Sequence, residues 1–155
     1  MNEIELINKL LADYQAANHT GMAECFHEEA TFQDIAFRLR GRKNIHAMYH
    51  MICNNGITVT IDQSAIHQGE TVVARITDKY IFSDTQRPVK NPIKCTFRFR
   101  DGLIVEQRDE CDAADWGRQA IGGIKGWAAG HIPFLRHLKA KKKLKLFIKE
   151  HHQYA

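Results

Sequence analysis

Two aspartates stand where a carboxylate is out of place. Over 103–111 the residues alternate as a strand does, with Leu103, Val105, Gln107, Asp109 and Cys111 on one face and Glu106, Arg108 and Glu110 on the other. The first face begins apolar and is the expected core face, so Asp109 is an acid among core residues. Asp34 repeats the pattern between Phe32 and Ala36. An acid there costs free energy unless it is paired, hydrogen-bonded or used. Desolvation lifts its pKa toward neutrality, where it can act as a general base or acid. The plainer alternatives are an edge position or salt bridge for Asp109, and an Asx-type turn ending the strand for Asp34.

Other constellations are thinner. In the strand expected over 71–83, Val73, Arg75, Thr77, Lys79 and Ile81 share one face and Val72, Ala74, Ile76, Asp78, Tyr80 and Phe82 the other. The second face is the more apolar, which sends Arg75 outward. A bent sheet that buried the Arg75 face at its middle would instead let Arg75 bridge Asp34 and Asp109. Over 91–100, Cys95, Phe97 and Phe99 oppose Thr96, Arg98 and Arg100. The two phenylalanines are core residues or an apolar floor for a flat ligand. His46 and His50 share a helical face at a spacing a metal tolerates, without an obvious third ligand. No metal and no cofactor is expected, since the sequence has no Gly-rich phosphate loop, nucleophile elbow or Cys/His ligand pattern.

The elements that must carry these residues follow from periodicity. Ile4, Ile7, Leu10, Leu11 and Tyr14 make one helical stripe over 4–18, and a short helix is expected over 21–28. A strand is expected over 30–37, a helix over 44–53, and strands over 57–68, 71–83, 91–100 and 103–111. Asp101-Gly102 is a two-residue hairpin signal. Short connections predict a mostly antiparallel sheet. Helices, a strand, a helix and consecutive strands predict an α+β fold: a strongly bent sheet wrapped around the N-terminal helices, with a pocket between them. Residues 121–133 read as a Gly-rich connector to a basic helix over about 134–150, so 1–120 is the expected domain and 121–155 an extension packed on it.

The chain has 155 residues, 44% hydrophobic and 26% charged, the composition of one globular domain. No apolar run approaches the roughly 18 residues of a membrane span. The N-terminus lacks a basic stretch followed by an apolar one, and the four cysteines form no C-x-x-C pair. A cytoplasmic location is expected. Net charge is +4. From Phe134 onward there are seven Lys/Arg against one acid, Glu150, and the body before it is slightly acidic. The body is therefore not expected to bind nucleic acid. The basic helix is expected to dock on the body through Leu135, Leu138, Leu144, Phe147 and Ile148, contact with a membrane surface being the alternative.

Three stretches carry a resemblance. They are Phe26 to Asp34 followed by Gly41-Arg42 and Ile45, then Phe97 to Val105, then Gln107 to Asp112 with Trp116 to Gln119. They resemble the nuclear-transport-factor-2-like superfamily, which includes ketosteroid isomerases, SnoaL-like cyclases and limonene-epoxide hydrolases. Against the isomerases, Asp34 falls at the general base, Tyr14 near the oxyanion tyrosine, and Cys95 where that family has a second oxyanion donor, an aspartate. Against the epoxide hydrolases, Arg75 and Asp109 fall on two members of an Asp-Arg-Asp set and Thr77 on the third, with Phe32 and Asp34 at the positions that hold water. The resemblance implies Asp34, Asp109, Tyr14 and Arg75 as catalytic residues. It implies a pocket lined by Phe32, Cys95, Phe97, Phe99, Gln107, Cys111 and Trp116, and a small apolar ligand. A homodimer is expected through the outer sheet face bearing Arg98, Arg100, Glu106, Arg108 and Glu110. The alternative to an isomerase, cyclase or hydrolase is a non-catalytic ligand-binding or dimerisation module.

Overall fold

The computed structural model describes all residues, 1–155. It opens with α1 (Glu3–Gln15), whose first turn is closed by a capping box: Asn2 Oδ1 accepts from the Glu5 amide at 2.8 Å and Glu5 Oε2 accepts from the Asn2 amide at 3.0 Å. Leu6, Ile7, Leu10, Leu11 and Tyr14 are its buried face. After α2 (His19–Glu24), β1 (Phe26–Gln33) runs into a bend at Asp34, and β2 (Arg38–Arg40) returns beside it. Gly41, at a φ of 93° that favours glycine, turns the chain into α3 (Arg42–Asn54), which buries Ile45, Ala47, Met48 and Tyr49.

The long strands follow as β3 (Thr58–Gln68), β4 (Thr71–Phe82), β5 (Arg87–Arg100) and β6 (Leu103–Glu110). Asp101 and Gly102 both take positive φ, the type of turn that joins β5 to β6 without splaying them. The sheet order is β2-β1-β6-β5-β4-β3. All pairs are antiparallel except β1–β6, which is parallel, so the six-stranded sheet is mixed. Its inner face and α1–α3 enclose one core, in which Phe26, Phe97, Ile7, Ile45, Met48 and Ile104 are wholly buried.

Residues 121–133 are not an irregular connector. Past α4 (Ala113–Ala120), α5 (Gly123–His131) occupies most of that stretch and α6 (Pro133–Glu150) follows. The glycines there are packing devices. A Cβ at Gly117 would sit 2.9 Å from the Gly130 amide nitrogen, and one at Gly130 would sit 2.8 Å from Ala114 Cα. Small residues let the α4 and α5 backbones touch. Helix α6 docks through Ala140 and Leu144, with Phe147 and Ile148 partly buried, whereas Leu135, Leu138 and Leu146 stay exposed. No helix is long and apolar enough to cross a membrane.

Candidate active site

Tyr14 comes from the last turn of α1, Asp34 from the bend after β1, Tyr49 from α3, Asp78 from β4, Cys95 from β5, and Gln107 and Asp109 from β6. All seven line a recess of about 50 Å³ together with Phe32, Ile76 and Ile93. The recess opens into a chamber of about 490 Å³, and Tyr14, Asp34, Ile52, Asp78 and Ile93 border both. That chamber is of the size that holds a small molecule, and most of its lining is hydrophobic. Trp116, Tyr80, Phe82, Ile57 and Ile121 form its walls, and α5 and α6 close one side.

Asp34 is held by its own turn. Its Oδ1 accepts the amides of Ala36 at 2.7 Å and Phe37 at 2.5 Å, so the Asx-type turn and the cavity position are both true of it. The second oxygen, Oδ2, accepts no hydrogen bond from the protein. The loop is pinned from the far side: Arg136 Nε donates to the Ile35 carbonyl at 2.8 Å, and the His137 ring lies 2.6 Å from the Ala36 carbonyl. Burial raises the Asp34 pKa above the ordinary carboxylate value, and the two amides, His137 and Arg136 oppose the rise.

The other two acids are pushed further. Asp109 reaches about 7, first through burial, with Asp34 raising it and Gln107 and Cys95 restraining it. Asp78 also reaches about 7, through burial and then through Asp109 and Asp34, against a bond from Tyr14. The Tyr14 hydroxyl donates to Asp78 Oδ2 at 3.3 Å, and Asp78 Oδ1 is buried without any partner. A relay orients Asp109: the Tyr49 hydroxyl donates to Gln107 Oε1 at 3.0 Å, and Gln107 Nε2 donates to Asp109 Oδ1 at 3.0 Å. Burial, then the facing acids, hold Tyr14 and Tyr49 well above their usual pKa, so both remain donors.

Several expected members lie elsewhere. Arg75 is exposed on the opposite face of β4, paired across the sheet with Gln63 and Lys94, and reaches neither aspartate. Alternation places Arg75 outward as expected, although its neighbours on that face, Val73 and Thr77, are themselves buried. The cation near Asp34 is Arg136. Thr77 also faces away from the cavity and donates to Asp62 at 2.6 Å. Phe97 is wholly buried in the core and Phe99 packs beside it, so neither forms the cavity floor. The cavity lies at the other half of β5, at Asn91, Ile93 and Cys95. Phe32, Cys95 and Gln107 line the recess, and Trp116 lines the chamber, its indole N–H donating to the Tyr80 hydroxyl at 2.7 Å. Cys111 sits just behind the lining against Asn91. Asp78, Tyr49 and Arg136 were not anticipated. Asp78 carried the same signal as the other two acids, being a carboxylate on the apolar face of its strand.

The geometry can be set beside known proteins. Among curated proteins none matches the sequence. Among solved structures, an LEH-like epoxide hydrolase of M. tuberculosis matches with a TM-score of 0.62 and 20% identity, over 85% of this chain and 93% of that one. A protein of ketosteroid isomerase-like fold from Catenulispora acidiphila DSM 44928, in complex with trimethylamine, matches with a TM-score of 0.65 and 18% identity, over 77% and 94%. TsrD from Streptomyces laurentii matches with a TM-score of 0.63 and 22% identity, over 77% and 94%. These likenesses establish the fold. The model of the SnoaL-like domain matches residues 7–107, the stretch that supplies Tyr14, Asp34, Tyr49 and Asp78 of the recess and ends two residues before Asp109, and the chain belongs to that family.

Proposed function

We propose that the protein binds a small, largely apolar molecule in the chamber and moves a proton on it, with Asp34 as general base. The observation that carries this reading is the convergence of three carboxyl groups on one apolar cavity, two of them held near neutrality. At pH 7 a carboxyl with a pKa of about 7 is protonated about half the time, so the site supplies base and acid together.

The chemistry follows from the positions. The free oxygen of Asp34 takes a proton from carbon next to a carbonyl, and the C–H electron pair moves into the enolate. Protonated Asp109, oriented through Gln107 and Tyr49, donates to the developing oxyanion, and Tyr14 is the second donor when protonated Asp78 donates to the Tyr14 oxygen and frees its hydroxyl proton. Return of the proton to another carbon completes an isomerisation, whereas attack of the enolate carbon on a second carbonyl completes a cyclisation. An epoxide would instead need Asp34 to activate water while a protonated aspartate donates to the ring oxygen. Neutral acids are suited to these roles, and the apolar walls keep the charge-bearing steps out of bulk water.

The test is turnover on Δ5-3-ketosteroids, polyketide-like β-dicarbonyls and epoxides. Asp34→Asn keeps size and removes basicity, and is expected to cost about 10²–10⁴ in rate with little change in affinity. Turnover that survives Asp34→Asn unchanged removes Asp34 from the mechanism, and binding without turnover on any of the three assigns the chain to the non-catalytic reading. We further propose a homodimer through the outer sheet face, where exposed Arg98, Arg108 and Glu110 offer both signs of charge to a two-fold partner. A monomer mass by light scattering at micromolar concentration contradicts it.

A further inference from the structure

Helices α5 and α6 hold large apolar side chains in water. Ile124 is 87% exposed, Phe134 69%, Trp127 61% and Leu138 55%. Trp127 stacks on His131, with ring centroids 4.8 Å apart, rather than on the body. The same helices carry an unbalanced charge. Lys139 and Lys143 share one carboxylate, Asp84, whereas Lys125, Lys141, Lys142, Lys145 and Lys149 are exposed and none has an ion-pair partner. The one acid after Phe134 is Glu150.

The arrangement of the two kinds of side chain selects the partner. On the exposed arc of α6, Phe134, Leu138 and Leu146 alternate with lysines instead of forming a separate apolar seam. A second copy would bring the same cations against these, and like charges at close range oppose association. A folded acidic partner needs a fixed apolar surface matched to scattered, protruding tips. A fluid anionic bilayer needs no such match. The tips of Trp127, Phe134 and Leu138 enter the headgroup boundary, while the lysine stems extend along them and place their ammonium groups on lipid phosphates.

We propose that the exposed surface of α5 and α6 is a docking surface for an anionic lipid bilayer. Two features beside it fit that role. An open groove of about 650 Å³ runs between α6 and the segment Ala36 to Leu39, and Phe134, Lys141 and Lys145 belong both to its lining and to the exposed patch. Helices α5 and α6 also wall the chamber, through Lys125, Ala129, Leu135 and Lys143 among others, so a docked protein presents its cavity wall to a reservoir of apolar molecules. Docking does not depend on whether the cavity is catalytic.

The test uses the full chain with vesicles of phosphatidylcholine alone or mixed with phosphatidylglycerol, followed by flotation and tryptophan emission. Trp116 is bonded to Tyr80 inside the chamber wall, so Trp127 reports the environment of the patch. The mixed vesicles are expected to float the protein and shift the emission to the blue, and added salt to reverse both. Replacing Lys141, Lys142, Lys145 and Lys149 together by Gln is expected to weaken binding by about 10²-fold or more, since each lysine near an anionic surface contributes roughly fivefold. Trp127→Ser with Phe134→Ser is expected to abolish flotation. All six positions are exposed, and unchanged melting of both variants shows that the fold is kept. Absence of flotation with the mixed vesicles at low salt overturns the proposal, as does equal binding to both vesicle types. A dimer mass lost on Trp127→Ser overturns it too, and assigns the patch to a second copy.

Discussion

Replacing Asp78 by Asn should stabilise the protein, and by more as pH rises from about 4 to about 7. Asp78 is 8% exposed, and its Oδ1 has no partner. Its pKa is about 7 in the folded chain, against about 3.9 in an unfolded one. The folded state binds this proton more tightly, so stability is highest below the unfolded value and falls as pH rises from about 4 to about 7. Roughly three pKa units at about 1.4 kcal/mol each set a ceiling of about 4 kcal/mol on the penalty at pH 8. Part of that is repulsion from Asp109, itself largely ionised at pH 8, so the expected gain for Asp78→Asn is about 2–4 kcal/mol at pH 8 and about 1 kcal/mol or less at pH 4.5. In a chain of this length that corresponds to a rise in Tm of about 5–15 °C at pH 8. Thermal melts of both proteins at the two pH values measure it. An equal shift at both, or a lower Tm for Asp78→Asn at pH 8, refutes the reasoning.

Gly117→Ala drives a methyl group into the α5 backbone near Gly130, where nothing flexible can give way, and is expected to cost about 1–3 kcal/mol by denaturant titration. A histidine cluster gives the opposite acid-side behaviour from the aspartates. His19 Nδ1 lies 2.9 Å from His46 Nε2, and burial first, then His19 and His50, lowers His46 to about 4. With its folded pKa depressed, His46 contributes stability present above about 6.5 and lost as pH falls toward 4. His46→Phe is therefore expected to flatten the stability profile between those values, by about 1–2 kcal/mol after allowance for its partial exposure. A profile identical to wild type counts against the cluster's role.

The sequence makes some of this legible because polar residues on apolar strand faces are informative one at a time. Asp34, Asp109 and Gln107 were readable in that way, and so was the Asp-Gly hairpin. Asp78 has the same credentials between Ile76 and Tyr80. The nearer cation in sequence, Arg75, is on the other face of the same strand, while the cation that does approach Asp34 lies 102 residues further on in α6, as Arg136. Alternation also says which face Phe97 and Phe99 take, but not how far along β5 the core gives way to the cavity, which depends on how the sheet curls over α1 and α3. The parallel β1–β6 pair is a contact between distant segments that no local pattern encodes. Helices α4 and α5 were hidden by Gly117, Gly126 and Gly130, residues that weaken a helix alone and are kept because two backbones meet there.

The central claim is that this cavity keeps two carboxyl groups near neutrality beside a third that serves as base. Carbon-13 NMR of the aspartate carboxyls across pH 3–9, with assignments from Asp34→Asn, Asp78→Asn and Asp109→Asn, measures it directly. The resonances lost in the Asp78 and Asp109 variants are expected to have midpoints near 7 in the wild-type protein, well above those of the surface aspartates. Midpoints for all three cavity aspartates at about 4, the ordinary solvated value, would contradict it.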